Sequence, residues 1–250
     1  MNGNIIIYNS EYKKEKENTF KMLKYKNCEL NFLNFNEALK YDKRTFCQYF
    51  LYLFQIKNLI LFSFYPVKDY NLKIIKIFLF FLFFDIYFAI NTLFFTESTI
   101  HQIYKDKGDY NFDYFLPQII YSFIISYFIS IIIKYVSLSD RYLLQLKYEK
   151  NKDEALDKGE KVKKQIVIKY MAFFVLCILF LILFWFYLSS FCAVYKNSQI
   201  YVIKNTFISF AMALSFPFVF IILASLLRFC SLKGKGNKYI YKISKAFQFI

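Results

Sequence analysis

The amino-acid sequence predicts an all-α integral membrane protein, a helical bundle with four transmembrane helices. Of its 250 residues, 58% are apolar, and 34 Phe and 23 Tyr supply many of these positions. The apolar residues gather in long runs with few charges, which is typical of helices that cross a bilayer. So much apolar surface excludes intrinsic disorder, because such side chains favour burial. A collagen-like fold is excluded because it needs Gly at every third position and the chain has only five Gly.

Four stretches are long enough to span a hydrocarbon core of about 30 Å. They are residues 77–95, 116–133, 170–193 and 206–227. Pro117 stands near the start of the second stretch, where a first helical turn loses no hydrogen bond. The third is the most apolar and contains the single tryptophan, Trp185. With their connecting loops, these stretches form a predicted membrane domain over residues 77–228.

The residues before the first span divide into two parts. Residues 1–45 are polar and rich in Lys, and they are predicted to form a cytosolic N-terminal tail. Residues 46–76 are predicted to form an interfacial amphipathic helix and a linker. A polar stripe at spacings of three and four supports that helix; it consists of Thr45, Gln48, Tyr52, Gln55 and Asn58. A fifth span is disfavoured because it would bury Lys57, at about 2.5–3.5 kcal/mol.

The basic residues alternate along the chain in a way that predicts its orientation. Segments 1–76, 134–169 and 228–250 carry 13, 10 and six Lys or Arg, while loops 96–115 and 195–205 carry two each. Cytosolic segments are enriched in Lys and Arg. The pattern therefore predicts a multi-pass protein with both termini and the middle loop in the cytosol. It does not indicate which membrane.

The middle loop, residues 134–169, is predicted to be a cytosolic helical segment. Three acid–base pairs four residues apart support a helix there: Glu154–Lys158, Asp157–Lys161 and Glu160–Lys164. Two interpretations stay open. The segment is either a solvated extension of the flanking spans or a helix that docks a partner.

The last segment, residues 229–250, is predicted to be a basic cytosolic tail. It carries five Lys and no acid, interleaved with Tyr, Ile and Phe. Such a segment is attracted to anionic lipids of the cytosolic leaflet, at about 1 kcal/mol per basic residue. The sequence contains no recognisable nucleic-acid module, so no nucleic-acid partner is predicted. Cys230 is either an interfacial thiol or a site of palmitoylation.

One carboxylate interrupts the first span. Asp85 stands near its centre, where an ionised group is costly and should be neutral or partnered. Ala89 and Thr92 follow on the same helical face, which predicts that this face turns inward. Asp85 is either a proton- or cation-handling group or a structural residue that fixes helix packing.

Small and polar residues mark single faces of two other spans. The second span carries Gln118, Ser122, Ser126 and Ser130 at intervals of four. The fourth has Ser209 with Ala213 and Ala211 with Ser215, and Pro217 predicts a kink there. Small residues at this spacing let helix backbones approach closely, so packing is one interpretation. The other is a polar pathway lined by Asp85, Gln118 and the three serines.

Catalytic and metal-binding motifs are missing. The sequence has no G-x-S-x-G, no H-E-x-x-H and no Gly-rich phosphate loop. Its single histidine, His101, cannot build a histidine-rich metal site. We therefore predict a protein that is not an enzyme and that uses no metal or cofactor.

Three segments of the sequence are similar to sequences of a known protein family. They read KYDKRTFCQYF (40–50), STIHQIYKDKGDYNFDYFLPQIIYSFI (98–124) and FCAVYKNSQIYVIKNTFISF (191–210). They resemble the membrane region of an uncharacterised family of multi-span transmembrane proteins from AT-rich protists, over about residues 35–232. The resemblance implies a shared helical membrane domain and no established activity, so it assigns no site residues.

Two functions follow as expectations. The first is a non-enzymatic membrane anchor or assembly subunit that associates laterally, through its Ser and Ala faces, with another protein or a second copy. The alternative is a small cation or proton channel or transporter subunit that uses Asp85.

Overall fold

The computed structural model describes residues 25–67, 69–147, 152–196, 198–233 and 236–249. Within these ranges all regular structure is α-helical, which confirms the predicted all-α class. The helices are α1 Asn27–Leu30, α2 Phe35–Tyr41, α3 Phe46–Lys57, α4 Leu59–Phe64, α5 Lys73–Leu93, α6 Glu97–Lys105, α7 Phe112–Ser137, α8 Asp140–Lys147, α9 Lys152–Val194, α10 Gln199–Leu232 and α11 Lys238–Phe249. Residues 1–24 of the predicted N-terminal tail and Lys235 of the predicted basic tail lie outside the described residues.

Four helical segments are long and apolar enough to cross a membrane. They are Lys73–Leu93, Phe112–Leu144, Leu156–Val194 and Gln199–Leu232. The four predicted spans fall within these segments, apart from the last two residues of the first, and the helices extend beyond the predicted ends. In α7 the extension has a local cause, because the Asn111 side chain accepts a hydrogen bond from the Tyr114 backbone N–H at 3.2 Å. The helix therefore starts at Phe112, and Pro117 lies inside it.

The chain forms two compact units, and the boundary along α10 falls at Pro217. The larger unit comprises residues 58–65 and 70–216. Its central helix is α5, which contacts α4, α7 and α9. Half of the most apolar 18-residue stretch of α5 is buried, whereas only 6% of the corresponding stretch of α9 is buried. The helix α5 thus forms the core, whereas α9 lies at the periphery.

The predicted middle loop is helical in the parts that are described. A single helix, α9, runs from Lys152 through the third span to Val194. The Lys161 ammonium donates to the Asp157 carboxylate at 2.7 Å, four residues apart as predicted. The side chain of Glu154 lies outside the described residues. The segment continues the third span into a charged extension.

The smaller unit comprises residues 1–57, 66–69 and 217–250. Two of its helices pack antiparallel to the end of α10. The Phe46 ring of α3 meets Phe229, and the Phe54 ring meets Phe218 further back along α10, at centroid distances of 6.4 and 6.0 Å. In α11, the Ser244 hydroxyl donates to the Ala224 carbonyl at 2.9 Å.

The position of α3 in the membrane interface stays a prediction. This helix lies along the end of a candidate span, and its polar stripe has another use at its two ends. Gln48 accepts a hydrogen bond from the Thr45 N–H at 3.0 Å, which caps the start of α3. Asn58 accepts one from the Leu61 N–H at 3.2 Å and caps α4. The stripe therefore reflects helix capping in part; Thr45 and Gln48 are exposed, whereas Tyr52 is buried.

Candidate functional site

Asp85 lies at the edge of the larger unit. Residues two apart on an α-helix point in nearly opposite directions, so Asp85 faces away from Tyr87, which is 2% exposed. Asp85 is half-buried, and Phe81 on its face is 56% exposed. Among the described residues no hydrogen bond or ion pair engages its carboxylate, although the Cys177 thiol of α9 is near enough to interact electrostatically. The Asp85 side of α5 thus lies beside α9, where the Phe78 ring meets Phe174 at a centroid distance of 5.5 Å, and away from the Tyr87 side.

Two small residues predicted to share the Asp85 face lie further along α5. Ala89 is half-buried, and its carbonyl accepts a hydrogen bond from the Thr92 hydroxyl at 2.6 Å. Thr92 is buried, at 8% exposure. This hydrogen bond stays within α5.

The serine row of α7 is buried. Ser122 and Ser126 are fully buried and Ser130 is 5% exposed. None of the three hydroxyls has a hydrogen-bond partner in the structure. At the start of the row, the Gln118 amide donates to the Asn91 carbonyl of α5 at 3.3 Å. The structure therefore brings four of the predicted pathway residues together, but it places the fifth, Asp85, on the other side of α5.

Three residues that sequence reasoning did not assign join this row. The Asn91 amide donates to the Ser209 hydroxyl of α10 at 2.8 Å, while its Oδ1 has no partner. The Tyr87 hydroxyl and the Asn205 Nδ2 are also buried without partners. We call the six residues of the larger unit that have such atoms the polar seam; they are Tyr87, Asn91, Ser122, Ser126, Ser130 and Asn205.

One end of the polar seam is held by the connection between α6 and α7. Tyr110 donates a hydrogen bond to Asn205 Oδ1 at 2.6 Å, and Tyr201 donates to the Gly108 carbonyl. Burial raises the pKa of Tyr110, so its hydroxyl stays protonated and can donate. Lys107 and Gly108 adopt positive φ angles of 54° and 87°, which reverse the chain here. The turn thus brings Tyr110 over Asn205.

A second cluster lies within the smaller unit, around the carboxylate of Asp42. Arg44 Nε donates to it at 2.7 Å and Arg228 Nη2 at 2.8 Å. Burial alone would raise the pKa of Asp42, but the hydrogen bond and charge of Arg44, with the charge of Arg228, hold that pKa below its usual value. Arg228 also donates to the Leu30 carbonyl at 2.9 Å, while its Nη1 is buried without a partner. We call Asp42, Arg44 and Arg228 the arginine cluster.

Aromatic rings enclose the arginine cluster. The Arg228 guanidinium lies 4.2 Å from the Tyr241 ring centre, and Arg44 lies 4.8 Å from that of Tyr49. The Tyr49 hydroxyl donates to the Gln248 side chain at 3.0 Å. Burial raises the pKa of Tyr49 to about 12, so the phenol stays neutral beside the two cations. The cluster therefore joins the segment before α3 to α10 and α11.

The remaining predicted residues of α10 have varied surroundings. Ser209 is fully buried, Ala213 is half-buried and Ser215 is exposed. Pro217 lines a small hollow with Lys57 and Gln248. The thiol of Cys230 is exposed, and the prediction of lipidation there stays a prediction.

Metal-binding groups are not clustered in the described part of the chain, where no three His, Cys, Asp or Glu side chains come together. Comparison of the chain with protein-family models, curated proteins and solved structures finds no match. The resemblance to a protist membrane family therefore stays a prediction.

Some of the missed residues carried a signal in the sequence. Asn91 interrupts the apolar run of the first span, as Asp85 does. The chain has three Arg among its 33 basic residues, and two of these form the arginine cluster. A residue type that is scarce against such a background of Lys is a candidate for a role that Lys cannot fill. Tyr87 and Asn205 had no comparable signal.

Proposed function

We propose that this chain is a non-enzymatic anchor or assembly subunit of a membrane, and that it pairs laterally with another membrane protein or with a second copy of itself. The observation that carries the proposal is the position of Asp85. A carboxyl group in an apolar helix is stable when it is protonated or partnered. Asp85 lies at the edge of its unit without a hydrogen bond to any described residue, so a neighbouring chain can supply the partner.

The surface around Asp85 supports lateral contact. Phe81 on the same side of α5 is 56% exposed and would flank a partner helix with apolar surface, while Phe78, 42% exposed, packs against Phe174 of α9. The serine faces that the sequence predicts for lateral contact are used differently, because Ser122, Ser126 and Ser209 are buried within their own unit. The proposed contact surface is therefore the Asp85 side of α5.

The peripheral helix α9 supports the role of an anchor. Its apolar side chains point outward over most of the span; Ile178, Ile182 and Trp185 are 59%, 60% and 61% exposed. Such a surface is stable against lipid tails or another apolar helix and costly in water. In the proposed orientation both termini lie in the cytosol, where exposed lysines of α11 meet anionic lipid headgroups.

The proposal is tested by replacing Asp85. Asp85→Leu should abolish the association, because Leu can neither accept nor donate a hydrogen bond. Asp85→Asn should retain part of it, since an amide can do both. The measurement is the amount of a second membrane protein, or of a differently tagged second copy, that co-purifies from native membranes in mild detergent.

Phe81→Leu serves as the matched control, because it keeps an apolar side chain on the same surface, and it should co-purify at least half of the wild-type amount. Thermal unfolding of each variant separates lost association from lost folding. Full co-purification with a folded Asp85→Leu variant would contradict the proposal.

A further inference from the structure

The polar seam follows the length of the larger unit. The hydrogen bond from Gln118 to the Asn91 carbonyl fixes the register of α7 against α5. The two helices run in opposite directions from this contact, so the next turn of α7, at Ser122, faces the preceding turn of α5, at Tyr87. Along α7, the distance from Gln118, which marks the level of Asn91, to Ser130 is about 18 Å, at about 1.5 Å per residue. This is more than half of a hydrocarbon core of about 30 Å.

The serine hydroxyls of the seam behave differently from others in the same unit. The buried Thr206 hydroxyl donates to the Val202 carbonyl at 2.8 Å, and the Ser209 hydroxyl donates to the Thr206 carbonyl at 3.1 Å. Such bonds within one helix are the usual arrangement for a hydroxyl in an apolar helix. Ser122, Ser126 and Ser130 make none. Their hydroxyls are therefore available to another polar group.

Asn91, Tyr87 and Asn205 provide independent evidence for such a group. Each is nine-tenths buried or more, and each keeps one polar atom without a partner. Buried polar atoms in proteins are nearly always hydrogen-bonded to protein or to ordered water. Six unsatisfied atoms on the neighbouring helices α5, α7 and α10 thus indicate a ligand that can both donate and accept.

We infer that the polar seam takes up a file of water molecules and conducts protons along it. Water fits because it donates and accepts at once and needs two to four polar partners. The seam contains no ionised side chain, so nothing in it replaces the hydration shell of a metal cation with opposite charge. Along such a file, each oxygen accepts a proton on one side and releases another on the opposite side, so no group in the seam stays charged.

Both ends of the seam reach partly exposed residues. At one end Tyr110 is half-buried and contacts Asn205. At the other end Lys134 follows one turn after Ser130, and its Nζ lies 5.5 Å from the Phe83 ring centre. Lys134 is also half-buried. Water can therefore enter beside either residue, and the inference does not rest on the lateral pairing proposed for Asp85.

Hydroxyl-radical footprinting of the full chain in lipid nanodiscs tests whether water occupies the seam. Radicals formed from bound water oxidise the nearest aromatic ring, so Tyr87 should be oxidised although it is 2% exposed. Tyr49 is the matched control, because it is 3% exposed and its hydroxyl is bonded to Gln248. Equal protection of both tyrosines would overturn the inference.

Proton flux into liposomes that contain the full chain tests conduction. A pH-sensitive dye inside the liposomes should report a flux, and Ser126→Val should reduce it at least fivefold, because Val fills the seam with apolar atoms. Ser189→Val, on the exposed side of α9, should leave the flux unchanged. Oxidation of Tyr87 without any proton flux would show static water and overturn conduction.

Discussion

Arg228 is a buried charged residue of the smaller unit that requires specific partners. Its side chain is 2% exposed, and it lies near the end of α10 in a mostly apolar stretch. A buried guanidinium needs a counter-charge, which Asp42 supplies from a position 186 residues earlier in the chain. Its planar fork bonds Asp42 and the Leu30 carbonyl while its face packs on Tyr241. The compact ammonium of Lys cannot make these contacts together.

Removal of the negative charge should destabilise the smaller unit. Asp42→Asn leaves Arg44 and Arg228 buried without a counter-charge, and we expect a loss of about 3–5 kcal/mol in the free energy of unfolding. Asp109→Asn, an exposed acid in the turn before α7, should change it by less than about 0.5 kcal/mol. Unfolding in detergent micelles provides the measurement. Equal stability of the two variants would show that the arginine cluster contributes nothing.

At the scale of elements, α11 is a docked helix and not a free basic tail. Tyr241 donates to the Leu33 carbonyl at 2.7 Å, and Ser244 donates to Ala224 of α10. The Lys245 ammonium turns inward to the Phe32 carbonyl at 3.2 Å, and burial lowers its pKa. Lys238 and Lys242 stay exposed. The lysines that the sequence predicts to contact lipid therefore lie on two faces of α11. Lys245 belongs to the packed face, and Lys238 and Lys242 belong to the outer face.

Docking of α11 predicts protection of its amides from hydrogen exchange. In the wild type, exchange over residues 240–248 should be slow, because opening α11 breaks its packing. Tyr241→Ala should speed this exchange at least tenfold, whereas Lys242→Ala on the exposed face should leave it close to the wild-type rate. Mass spectrometry of deuterium uptake measures the difference. Fast exchange in all three proteins would mean that α11 is not docked.

At the scale of the whole molecule, four apolar helical segments indicate a multi-pass membrane protein, and the uneven distribution of basic residues predicts its orientation. The structure shows helices of sufficient length, and orientation rests on the sequence alone. In the proposed orientation, the short loops with two basic residues each face away from the cytosol.

Orientation is tested with single cysteines in a variant whose five native cysteines are replaced by serine. Lys161→Cys and Lys238→Cys should react with an impermeant maleimide added to the cytosolic side. Lys105→Cys and Lys196→Cys should react when it is added to the opposite side. All four positions are exposed, so access by solvent is matched. Reaction of Lys105→Cys from the cytosolic side would reverse the proposed orientation.

The sequence predicted some parts of the site better than others. Ser122, Ser126 and Ser130 were found because one helix carries them at a fixed interval, which periodicity reveals. Asn91 and Tyr87 joined them through the register of α5 against α7, which no single helix encodes. Asp85 was assigned to an inward face because the small and polar residues Ala89 and Thr92 follow it on the same side of the helix. The exposed Phe78 and Phe81 share that side, however. The partners of Arg228 could not be predicted, since they lie nearly 200 residues away.

The sequence by itself determined the helical class, the four apolar segments and the distribution of charge, because these depend on the composition and spacing of neighbouring residues. Tertiary structure alone decided which face of α5 is buried, that α11 docks against α10, and that Asp42 meets two arginines. These features depend on how separate helices pack. Packing sets which polar atoms find partners, and it leaves Asp85 at an edge and six polar atoms unsatisfied along one seam.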